Sequence, residues 1–390
     1  MPKIGIDAIH FFSSAYYLDL KTLAEKRSID VSKYNESLGQ YKMAIAAPDE
    51  DIVTLGANAA FPLLNEENIS EIDTLLFATE SGIDQSKSAG VFVHDLLKLP
   101  KTCRVLELKQ ACYSATGAIQ MALGMIAHQP KRKILIIAAD IAKYGLKTPG
   151  ESSQGCGAIA MLLTQNPKLM AIESGSGIHT ESVMDFWRPN YLEEALVNGM
   201  YSSKLYMSSL ESCWQSYVQN TARTFDDHSF FCYHAPLPRL VEKSHSRLAK
   251  QSKKPLDNQE ELKKQVEDSL VYGREIGNSY AASLYIGLAS LLDKAKSNLD
   301  NARVGFYSYG SGLVSEFFSG VIESNYKQHL HSIAHQKMID ERKELSYDEY
   351  EDFYLFRLPK DGSALKLPRH QKGLFRLAAV QDHKRIYEKL

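Results

Sequence analysis

Cys112 is the residue in this sequence whose type and position best suit covalent chemistry. It lies in the segment ELKQACYSAT (107–116), where a short strand-like run gives way to small apolar residues at helical spacing. Unpaired N–H groups and the positive dipole at a helix N-terminus favour a thiolate, which is the form of cysteine that attacks carbonyl carbon. A free cysteine is also a good small core residue, so this segment alone leaves a structural role open.

Three further side chains complete a set that suits thioester chemistry. Glu80 follows the apolar run TLLFAT, His234 follows SFFCY, and Asn278 follows a glycine. With Cys112 they match a reaction in which a thiolate takes an acyl group and a carboxylate removes a proton from the carbon beside the thioester carbonyl. Histidine and asparagine would polarise the carbonyl under attack. Taken singly, each has an ordinary explanation as a capping residue, a core histidine or a turn residue.

Local environment would tune this chemistry. Burial of Glu80 beside apolar strand residues would raise its pKa, which helps a carboxylate to act first as a base toward carbon and then as an acid toward an alkoxide. The glycines at 310 and 312 allow the backbone to approach a substrate closely. The N–H of Ser311, together with that of Cys112, would then form an oxyanion hole.

Alternating apolar runs and helical patterns predict an α/β protein that positions these residues. Ligands of open α/β sheets bind at the C-terminal edge of the strands, where Glu80 and His234 are expected. The runs that read as buried strands cover residues 74–79, 105–108, 134–139, 158–163, 229–233 and 304–309.

The second half of the chain repeats the first in order. The strand that ends at Glu80 matches the strand that ends at His234, and the small-residue helix that opens at Cys112 matches the one that opens at Asn278. Two later strands also match, and residues 250–264 form an insertion before the second helix. A duplication would bring sulfur, carboxylate and imidazole into one pseudo-symmetric pocket.

The composition excludes several classes of protein. The 390 residues are 44% hydrophobic, and 45 Lys and Arg residues balance 47 Asp and Glu residues, so no strong overall charge attracts nucleic acid. The five cysteines form no CxxC pair, which argues against a disulfide framework and a zinc site. The chain starts directly with a strand pattern, and no apolar run approaches about 18 residues. We therefore expect a cytoplasmic protein with no metal, no membrane segment and no nucleic-acid partner.

Longer motifs resemble those of the bacterial 3-hydroxy-3-methylglutaryl-CoA synthases of the thiolase superfamily. The resemblance runs over nearly the whole chain, through GIDAIHFF, DIVTLGANAA, ATES, KQACYSAT, QGCGAIAML, DFWRP, IGNSY and FYSYGSG. It implies condensation of acetyl-CoA with acetoacetyl-CoA to 3-hydroxy-3-methylglutaryl-CoA and CoA, on the way to mevalonate, with no further cofactor. It also implies a homodimer and a thiolase-like α/β fold, with duplicated halves in a five-layered αβαβα arrangement.

The resemblance implies a role for each residue of the candidate set. Cys112 resembles the acetylated nucleophile, Glu80 the general acid/base, and His234 the group that orients and polarises acetoacetyl-CoA. Asn278 and Ser311 match positions that contact the acyl part of the substrate.

Five further positions match ligand-contacting residues of the family. Asp30, Ser153 and Ser202 correspond to positions that contact the substrate, and Arg239 and Lys243 correspond to the basic pair used for CoA. Because that pair is four residues apart, a helix would turn both side chains toward the same phosphate. A solvated helix face explains such a pair equally well.

Departures from the family pattern leave alternatives open. The chain has Cys156 between two glycines where alanine is usual, Arg239 where lysine is usual and Ser153 where threonine is usual. The segments ESGID and ELKQACYS also resemble the synthase-like enzymes that install β-branches in polyketide assembly and take acyl groups from carrier proteins. Glu80 argues against a ketoacyl synthase, and Ser311, in place of a second cysteine, argues against a thiolase. An inactive paralogue acting as a dimer partner or scaffold is a further alternative, against which the three catalytic residues argue.

We predict two halves with a C-terminal extension. The N-terminal thiolase-like half covers residues 1–175 and carries the nucleophile and the acid/base. The C-terminal half covers residues 176–390 and carries the histidine, asparagine and serine of the site. Within it, residues 323–390 show a charged helical pattern and a capping motif, and we expect them to pack on the second half.

Overall fold

Strands and helices alternate along most of the chain. In the computed structural model, which describes residues 2–254, 259–370 and 372–390, the strands are β1 (Ile4–Phe12), β2 (Tyr16–Asp19), β3 (Lys42–Ala44), β4 (Ile72–Ala78), β5 (Arg104–Leu108), β6 (Lys133–Ala142), β7 (Gly155–Gln165), β8 (Met170–Ile172), β9 (Gly177–Thr180), β10 (Phe186–Trp187), β11 (Leu196–Val197), β12 (Phe230–Tyr233), β13 (Arg303–Gly310), β14 (Val314–Ile322), β15 (Lys343–Glu344), β16 (Leu365–Lys366), β17 (Phe375–Gln381) and β18 (Lys384–Lys389). The α-helices are α1 (Leu20–Arg27), α2 (Ser32–Asn35), α3 (Ile52–Ala60), α4 (Ala89–Leu96), α5 (Ser114–His128), α6 (Gly199–Thr221), α7 (Pro238–Gln251), α8 (Gln259–Lys264), α9 (Val271–Ile276), α10 (Ser283–Lys294), α11 (Ser332–Asp340) and α12 (Tyr347–Leu355).

A mixed sheet, ten-stranded within the described residues, forms the frame of the molecule. Its strands run in the order β12-β13-β14-β8-β1-β7-β6-β4-β5, with β9 paired to β14. Strand β4 is parallel to β5 and β6, whereas β6 with β7 and β7 with β1 are antiparallel. Likewise β12 and β13 are parallel, and β14 is antiparallel to both β13 and β9. The order β4-β6-β7-β1 therefore recurs as β12-β13-β14-β9, in agreement with the expected repeat.

Helices separate and cover the two groups of strands. Helix α3 packs on β1, β6 and β7, and α6 packs on β14 and β9. Helices α5 and α10 lie between the groups, since both contact first-half strands and Thr116 of α5 donates a hydrogen bond to Ser308 of β13. Layers of helix and strand therefore alternate in the αβαβα order that the resemblance implied.

Two glycines let loops from the two halves touch where the site forms. A Cβ at Gly277 would lie 2.0 Å from the carbonyl oxygen of Gln154, and φ at Gly277 is +79°. A Cβ at Gly310 would lie 2.5 Å from the carbonyl oxygen of Gln110. Neither contact tolerates a side chain, so the loop before Asn278 lies on the start of β7 and the nucleophile loop lies on the end of β13.

The C-terminal extension (323–390) lies mainly against the first half, so its predicted packing on the second half is wrong for most of its length. Asn58 of α3 hydrogen-bonds to the backbone of Phe375, and Arg376 pairs with the buried carboxylate of Asp49. Strand β15 pairs with β2. The physical reason is that every residue of α3 is buried, so the face of α3 that points away from the sheet needs an apolar cover, which the β17–β18 hairpin supplies.

Helix α11 is one of several parts of the extension that contact the second half; Arg342, which pairs with Glu275, is another. In α11, the Nδ1 of His335 hydrogen-bonds to Asp293 of α10 at 2.7 Å. The predicted capping motif is present at α12, where Ser346 and Glu349 exchange side-chain-to-backbone hydrogen bonds. Such a box fixes the start of a helix locally, which is why it could be read from sequence.

Two expectations about the division of the chain are not decided by the fold. The boundary between residues 175 and 176 stays a prediction. The expected insertion at 250–264 lies partly outside the described residues. Its described part contains the end of α7 and the whole of α8.

Candidate active site

Cys112 and Glu80 are in direct contact at the centre of the candidate site. Glu80 lies two residues beyond the end of β4, and Cys112 lies two residues before α5. The thiol donates a hydrogen bond to Glu80 Oε1 at 3.1 Å. Because β4 and β5 are parallel neighbours, their C-terminal ends bring both residues to one edge of the sheet.

Burial and neighbouring negative charge raise the pKa of both groups. Loss of hydration, followed by the charge of Asp140, raises the pKa of Glu80, as the sequence predicted. Loss of hydration, followed by the charge and hydrogen bond of Glu80, raises the pKa of Cys112 well above its usual value. The expected thiolate is therefore absent from the resting site, because burial outweighs the dipole of α5 and the thiol keeps its proton in the hydrogen bond to Glu80.

Asp140 holds the loop that carries Glu80. Its Oδ1 accepts hydrogen bonds from the Thr79 hydroxyl at 2.8 Å and from the backbone N–H groups of Glu80 and Ser81, each at 2.9 Å. Its Oδ2 accepts from the N–H of Ala281 at 3.0 Å. The sequence analysis missed this residue, although a lone carboxylate inside the apolar β6 run is a usable signal, since a buried charge requires partners.

His234 and Asn278 enter the site from the second half. The Nδ1 of His234 hydrogen-bonds to the Ser283 hydroxyl at 2.6 Å, so a ligand in the site can use only Nε2. Burial lowers the pKa of His234 to about 3, so the ring is neutral near pH 7. Asn278 donates to the Tyr144 hydroxyl at 3.0 Å and accepts from the N–H of Tyr280 at 2.9 Å. Both side chains are therefore fixed before any substrate binds.

A cavity of about 990 Å³ opens onto these residues. Tyr144, Phe186 and Tyr280 form an aromatic wall with ring centroids 5.7 to 5.9 Å apart. Glu80 lies behind the thiol, outside the cavity lining. The predicted site residues that line the cavity are Cys112, Ser153, Ser202, His234, Asn278 and Ser311.

Asp185, from the DFWRP segment, holds two residues of the cavity wall, Ser202 and Tyr309. Its Oδ2 accepts hydrogen bonds from the hydroxyls of Ser202 at 2.9 Å and Tyr309 at 2.7 Å. Its Oδ1 accepts from the N–H of Gly312 at 3.0 Å. Asp185 is fully buried and so fixes the turn next to Ser311. The segment is part of the family resemblance, but its sequence alone does not indicate a role for the aspartate.

Arg188, from the same segment, contacts the acid/base directly. Its guanidinium donates a hydrogen bond to the backbone carbonyl of Glu80, and its positive charge opposes the rise in the Glu80 pKa. Nothing in the spacing of the sequence links residues 80 and 188. This contact could be found only from the folded chain.

Three predicted ligand-binding residues lie outside the cavity lining. Asp30 is exposed, and its carboxylate accepts the N–H of the residue two positions on. Arg239 and Lys243 are both exposed on α7, and Arg239 bonds to the carbonyl of Glu36 and pairs with Glu242. The first turn of α7 does line the cavity. The basic pair therefore lies on the exposed side of a helix that forms part of the cavity wall.

The described residues contain no arrangement of three or more histidine, cysteine, aspartate or glutamate side chains suited to a metal ion. In the same ranges, no helix has both the length and the apolar character needed to cross a membrane. All five cysteines are free thiols, and Cys112 is the one that lines the catalytic cavity described here.

Comparison with known proteins gives the family of this chain. The family described as hydroxymethylglutaryl-coenzyme A synthase, N terminal, matches residues 1–168, and its C-terminal counterpart matches residues 170–263 and 250–358. A hydroxymethylglutaryl-CoA synthase from Enterococcus faecalis is 40% identical over 358 residues, which cover 92% of this chain and 93% of that protein. The chain belongs to the hydroxymethylglutaryl-CoA synthase family. It is therefore an enzyme of the condensing acyltransferase type, as predicted.

Solved structures agree with this assignment. A crystal structure of an HMG-CoA synthase complexed with CoA matches with a TM-score of 0.96 at 39% identity and covers 100% of both chains. The predicted thiolase-like fold, which members of this family have, is thereby confirmed. A second relative, the polyketide biosynthesis 3-hydroxy-3-methylglutaryl-ACP synthase PksG of Bacillus subtilis, is 34% identical over 374 residues, covering 90% of this chain and 88% of that protein.

Proposed function

We propose that this synthase condenses acetyl-CoA with acetoacetyl-CoA to 3-hydroxy-3-methylglutaryl-CoA, using Cys112 as the acyl nucleophile and Glu80 as the general acid/base. The observation that carries the proposal is the 3.1 Å hydrogen bond between these two side chains at the wall of a large cavity. Two relatives support CoA thioesters as substrates. The Enterococcus relative is named a hydroxymethylglutaryl-CoA synthase, and the solved structure of another relative contains CoA.

The first step is transfer of the acetyl group to sulfur. The Cys112 sulfur attacks the carbonyl carbon of acetyl-CoA while its proton passes to Glu80, the group that already accepts it. The backbone N–H groups of Cys112 and Ser311 stabilise the oxyanion. The bond to CoA then breaks, and the departing sulfur takes the proton from Glu80, leaving acetyl-Cys112 and free CoA.

The second step forms the carbon–carbon bond. The Glu80 carboxylate takes a proton from the methyl carbon of acetyl-Cys112, and that carbon attacks the ketone carbon of acetoacetyl-CoA. Glu80 then returns the proton to the new alkoxide. A raised pKa suits both halves of this exchange, because the same group must accept a proton from carbon and release it to oxygen. Water finally cleaves the Cys112 thioester, giving the product and restoring the thiol.

The second-half residues orient the acceptor substrate. Neutral His234 presents Nε2 to the carbonyl under attack, because Ser283 holds its Nδ1, and Asn278 contacts the acyl part beside it. Ser153 and Ser202 line the path of the thioester arm. The aromatic wall keeps water away from the reacting carbon, which strengthens each of these polar contacts.

Residues on the outer surface bind the nucleotide end of CoA in this proposal. Arg239 and Lys243 are exposed on one helix whose first turn lines the cavity, and phosphate groups favour such cations. Asp30 makes a further ligand contact at the surface. The balanced overall charge of the chain makes a local basic pair of this kind necessary.

A carrier-protein substrate is the second candidate, favoured by the 34% identity to PksG, which is named as an ACP synthase. The experiment that separates the two compares kcat/KM for acetoacetyl-CoA with that for acetoacetyl-carrier protein at matched acetyl donor. We expect the CoA thioester to be preferred. A large preference for the carrier protein would overturn the mevalonate assignment while leaving the acetyl-Cys112 chemistry intact.

We also propose that the enzyme is a homodimer that associates along β5. This strand lies at one end of the sheet order, and Leu106 on it is 46% exposed. Met121 on α5, which contacts β5, is 47% exposed. Unpaired strand edges with apolar side chains favour pairing with another chain.

A further inference from the structure

A second cavity, of about 440 Å³, lies beside the catalytic one. The two cavities share Glu193 and Tyr354 in their walls. The rest of the second cavity is formed by the segment 44–48, the ends of β6 and β7, helix α12 with the residues after it, and the β17–β18 hairpin. None of the residues assigned above to catalysis or CoA binding lines this space, so its chemistry needs a separate explanation.

Glu50 lines this second cavity. The side chain is 7% exposed, and its Oε2 accepts hydrogen bonds from the Ser14 hydroxyl at 2.6 Å and the N–H of Ala47 at 2.9 Å. Its Oε1 is buried and has no hydrogen-bond partner among the described residues. A buried carboxylate oxygen without a partner is destabilising unless a ligand or water satisfies it, and Glu50 lines the cavity in which that group would sit.

Lys143 also lines this cavity. Its ammonium is 5.2 Å from the centre of the Tyr354 ring and forms no hydrogen bond or ion pair with the described residues. Burial lowers the pKa of Lys143 to about 8, so the side chain is still mostly charged near pH 7. Lys143 is partly exposed, and an ammonium without an ion partner among the described residues favours an anionic ligand.

The neighbouring charges do not neutralise this part of the cavity. Arg357 and Lys360 share a single carboxylate, that of Glu193, and Arg385 is paired with Asp51. With Lys143 included, positive charge is in excess. Glu50 and Lys143 both line this cavity.

Apolar side chains line much of the remaining wall, including Ala46, Pro48, Leu377 and Val380. The cavity therefore offers an ammonium, a carboxylate with an unused acceptor, and apolar surface. We propose that this cavity binds a short organic acid whose anionic oxygens pair with Lys143 and whose hydroxyl group donates a hydrogen bond to Glu50. The anionic group is a carboxylate or a phosphate, since both have the charge and geometry that Lys143 accepts.

Calorimetric titration of the full-length chain tests this proposal. The probes are ω-hydroxy carboxylates of increasing chain length, the corresponding unhydroxylated carboxylates, and the corresponding ω-hydroxyalkyl phosphates, which separate the two anion sources. We expect saturable binding of one molecule per chain with an optimum chain length. Loss of the hydroxyl group should weaken binding several-fold, because it removes the hydrogen bond to Glu50.

Variants at Lys143 locate the binding. Lys143→Met should weaken binding by about 10-fold or more, the effect of losing one charge-assisted hydrogen bond, and Lys143→Arg should keep most of it. Lys21→Met, which removes an exposed charge on α1, is the matched control and should bind as the parent does. Titration in the presence of saturating CoA should give unchanged affinity, because the site lies outside the catalytic cavity.

Three results would overturn the proposal. The first is the absence of saturable binding for every acid in the series. The second is equal affinity in the parent and Lys143→Met chains, which would mean adventitious binding only. The third is loss of binding when CoA is present, which would place the acid in the catalytic cavity. Since none of these readouts uses turnover, they are independent of the proposed condensation.

Discussion

Cys112 and Glu80 behave as a pair that shares one proton. The thiol donates to the carboxylate. Burial, followed by the charge of Asp140, raises the pKa of Glu80, and burial, followed by the charge of Glu80, raises the pKa of Cys112. Acetylation removes the thiol proton from this pair. Glu80 is then free to act on carbon, so the same contact that holds the resting thiol prepares the base for the second step.

Glu80→Gln is expected to separate the two steps. The amide oxygen still accepts the thiol hydrogen bond, and loss of the negative charge lowers the pKa of Cys112, so the variant should still be acetylated and should react faster with iodoacetamide at neutral pH. Condensation should fall by about 100-fold or more, because the base is missing. The exposed Glu66→Gln change is the matched control. Condensation at the parent rate in Glu80→Gln would mean that the base lies elsewhere.

His245 predicts a measurable dependence of stability on pH. It is buried between the Tyr233 hydroxyl and Gln265, and burial lowers its pKa to about 4. The unfolded chain takes up a proton near the usual pKa of about 6.5 and the folded chain does not, so stability is lost as the pH falls from above 6.5 toward 4.

Replacing His245 with glutamine should remove this contribution. Between pH 7.5 and 5.5, the parent should lose about 1 kcal/mol more unfolding free energy than His245→Gln, as measured by urea denaturation at both pH values. The exposed His383→Gln change is the control. Identical pH dependence in parent and His245→Gln chains would show that the histidine titrates normally in the folded protein.

At the scale of elements, α5 is anchored to a strand of the opposite half. The Tyr113 hydroxyl donates to Glu316 Oε2 at 2.7 Å, and Gln120 donates to Glu316 Oε1 at 3.0 Å. Glu316 lies on β14 and is 1% exposed. Because Tyr113 follows Cys112 directly, this buried contact sets the position of the nucleophile loop against the second-half residues of the site.

Tyr113→Phe tests this anchor. The change leaves one oxygen of a buried carboxylate without its donor, so the unfolding free energy should fall by about 1 to 3 kcal/mol, and acetylation by acetyl-CoA should slow. Chemical denaturation and the rate of acetyl labelling measure the two effects. Tyr191→Phe, at an exposed position, should change neither. Parent-like stability together with a parent-like labelling rate in Tyr113→Phe would contradict the proposed role of the anchor.

The elements that sequence could predict are those set by local patterns. Five of the predicted buried runs appear as β4, β6, β7, β12 and β13, because strands buried on both faces read as continuous apolar segments. The run at 105–108 does form a strand, β5, but the prediction that it is buried is wrong, because β5 lies at the edge of the sheet and none of its residues is buried. The capping box at Ser346 was likewise local. The position of the β17–β18 hairpin was predicted wrongly. Its apolar residues indicate that it packs on another element but not on which one, and its partner α3 lies more than 300 residues earlier.

For the site too, the sequence predicted only what local patterns determine. Sequence patterns predicted three site residues, because each lies just before a helix or just after a strand within its own motif: Cys112, Glu80 and His234. The buried carboxylates that hold the site were not predicted, since the partners of Asp140 range from residue 79 to residue 281 and those of Asp185 from residue 202 to residue 312. Contacts of that range depend on strand order, which the sequence pattern does not specify.

At the scale of the whole molecule, the exposed edge of β5 predicts assembly. Leu106→Lys places a charge on that edge and should shift the enzyme from dimer to monomer, because an edge strand with a lysine pairs poorly with another chain. Light scattering coupled to size-exclusion chromatography measures the mass. Ile333→Lys, on α11 and 86% exposed, is the matched control and should leave the dimer intact. A parent chain that elutes as a monomer, or a Leu106→Lys chain that stays dimeric, would contradict association along β5.

Peptide mapping of the enzyme quenched after mixing with acetyl-CoA tests the central claim most directly. We expect one acetyl group on the peptide that contains Cys112, in both the parent chain and Glu80→Gln, and none in Cys112→Ser. On addition of acetoacetyl-CoA, the label should pass into product in the parent and remain on the enzyme in Glu80→Gln. An acetyl group carried by a different residue, or labelling that survives in Cys112→Ser, would contradict it.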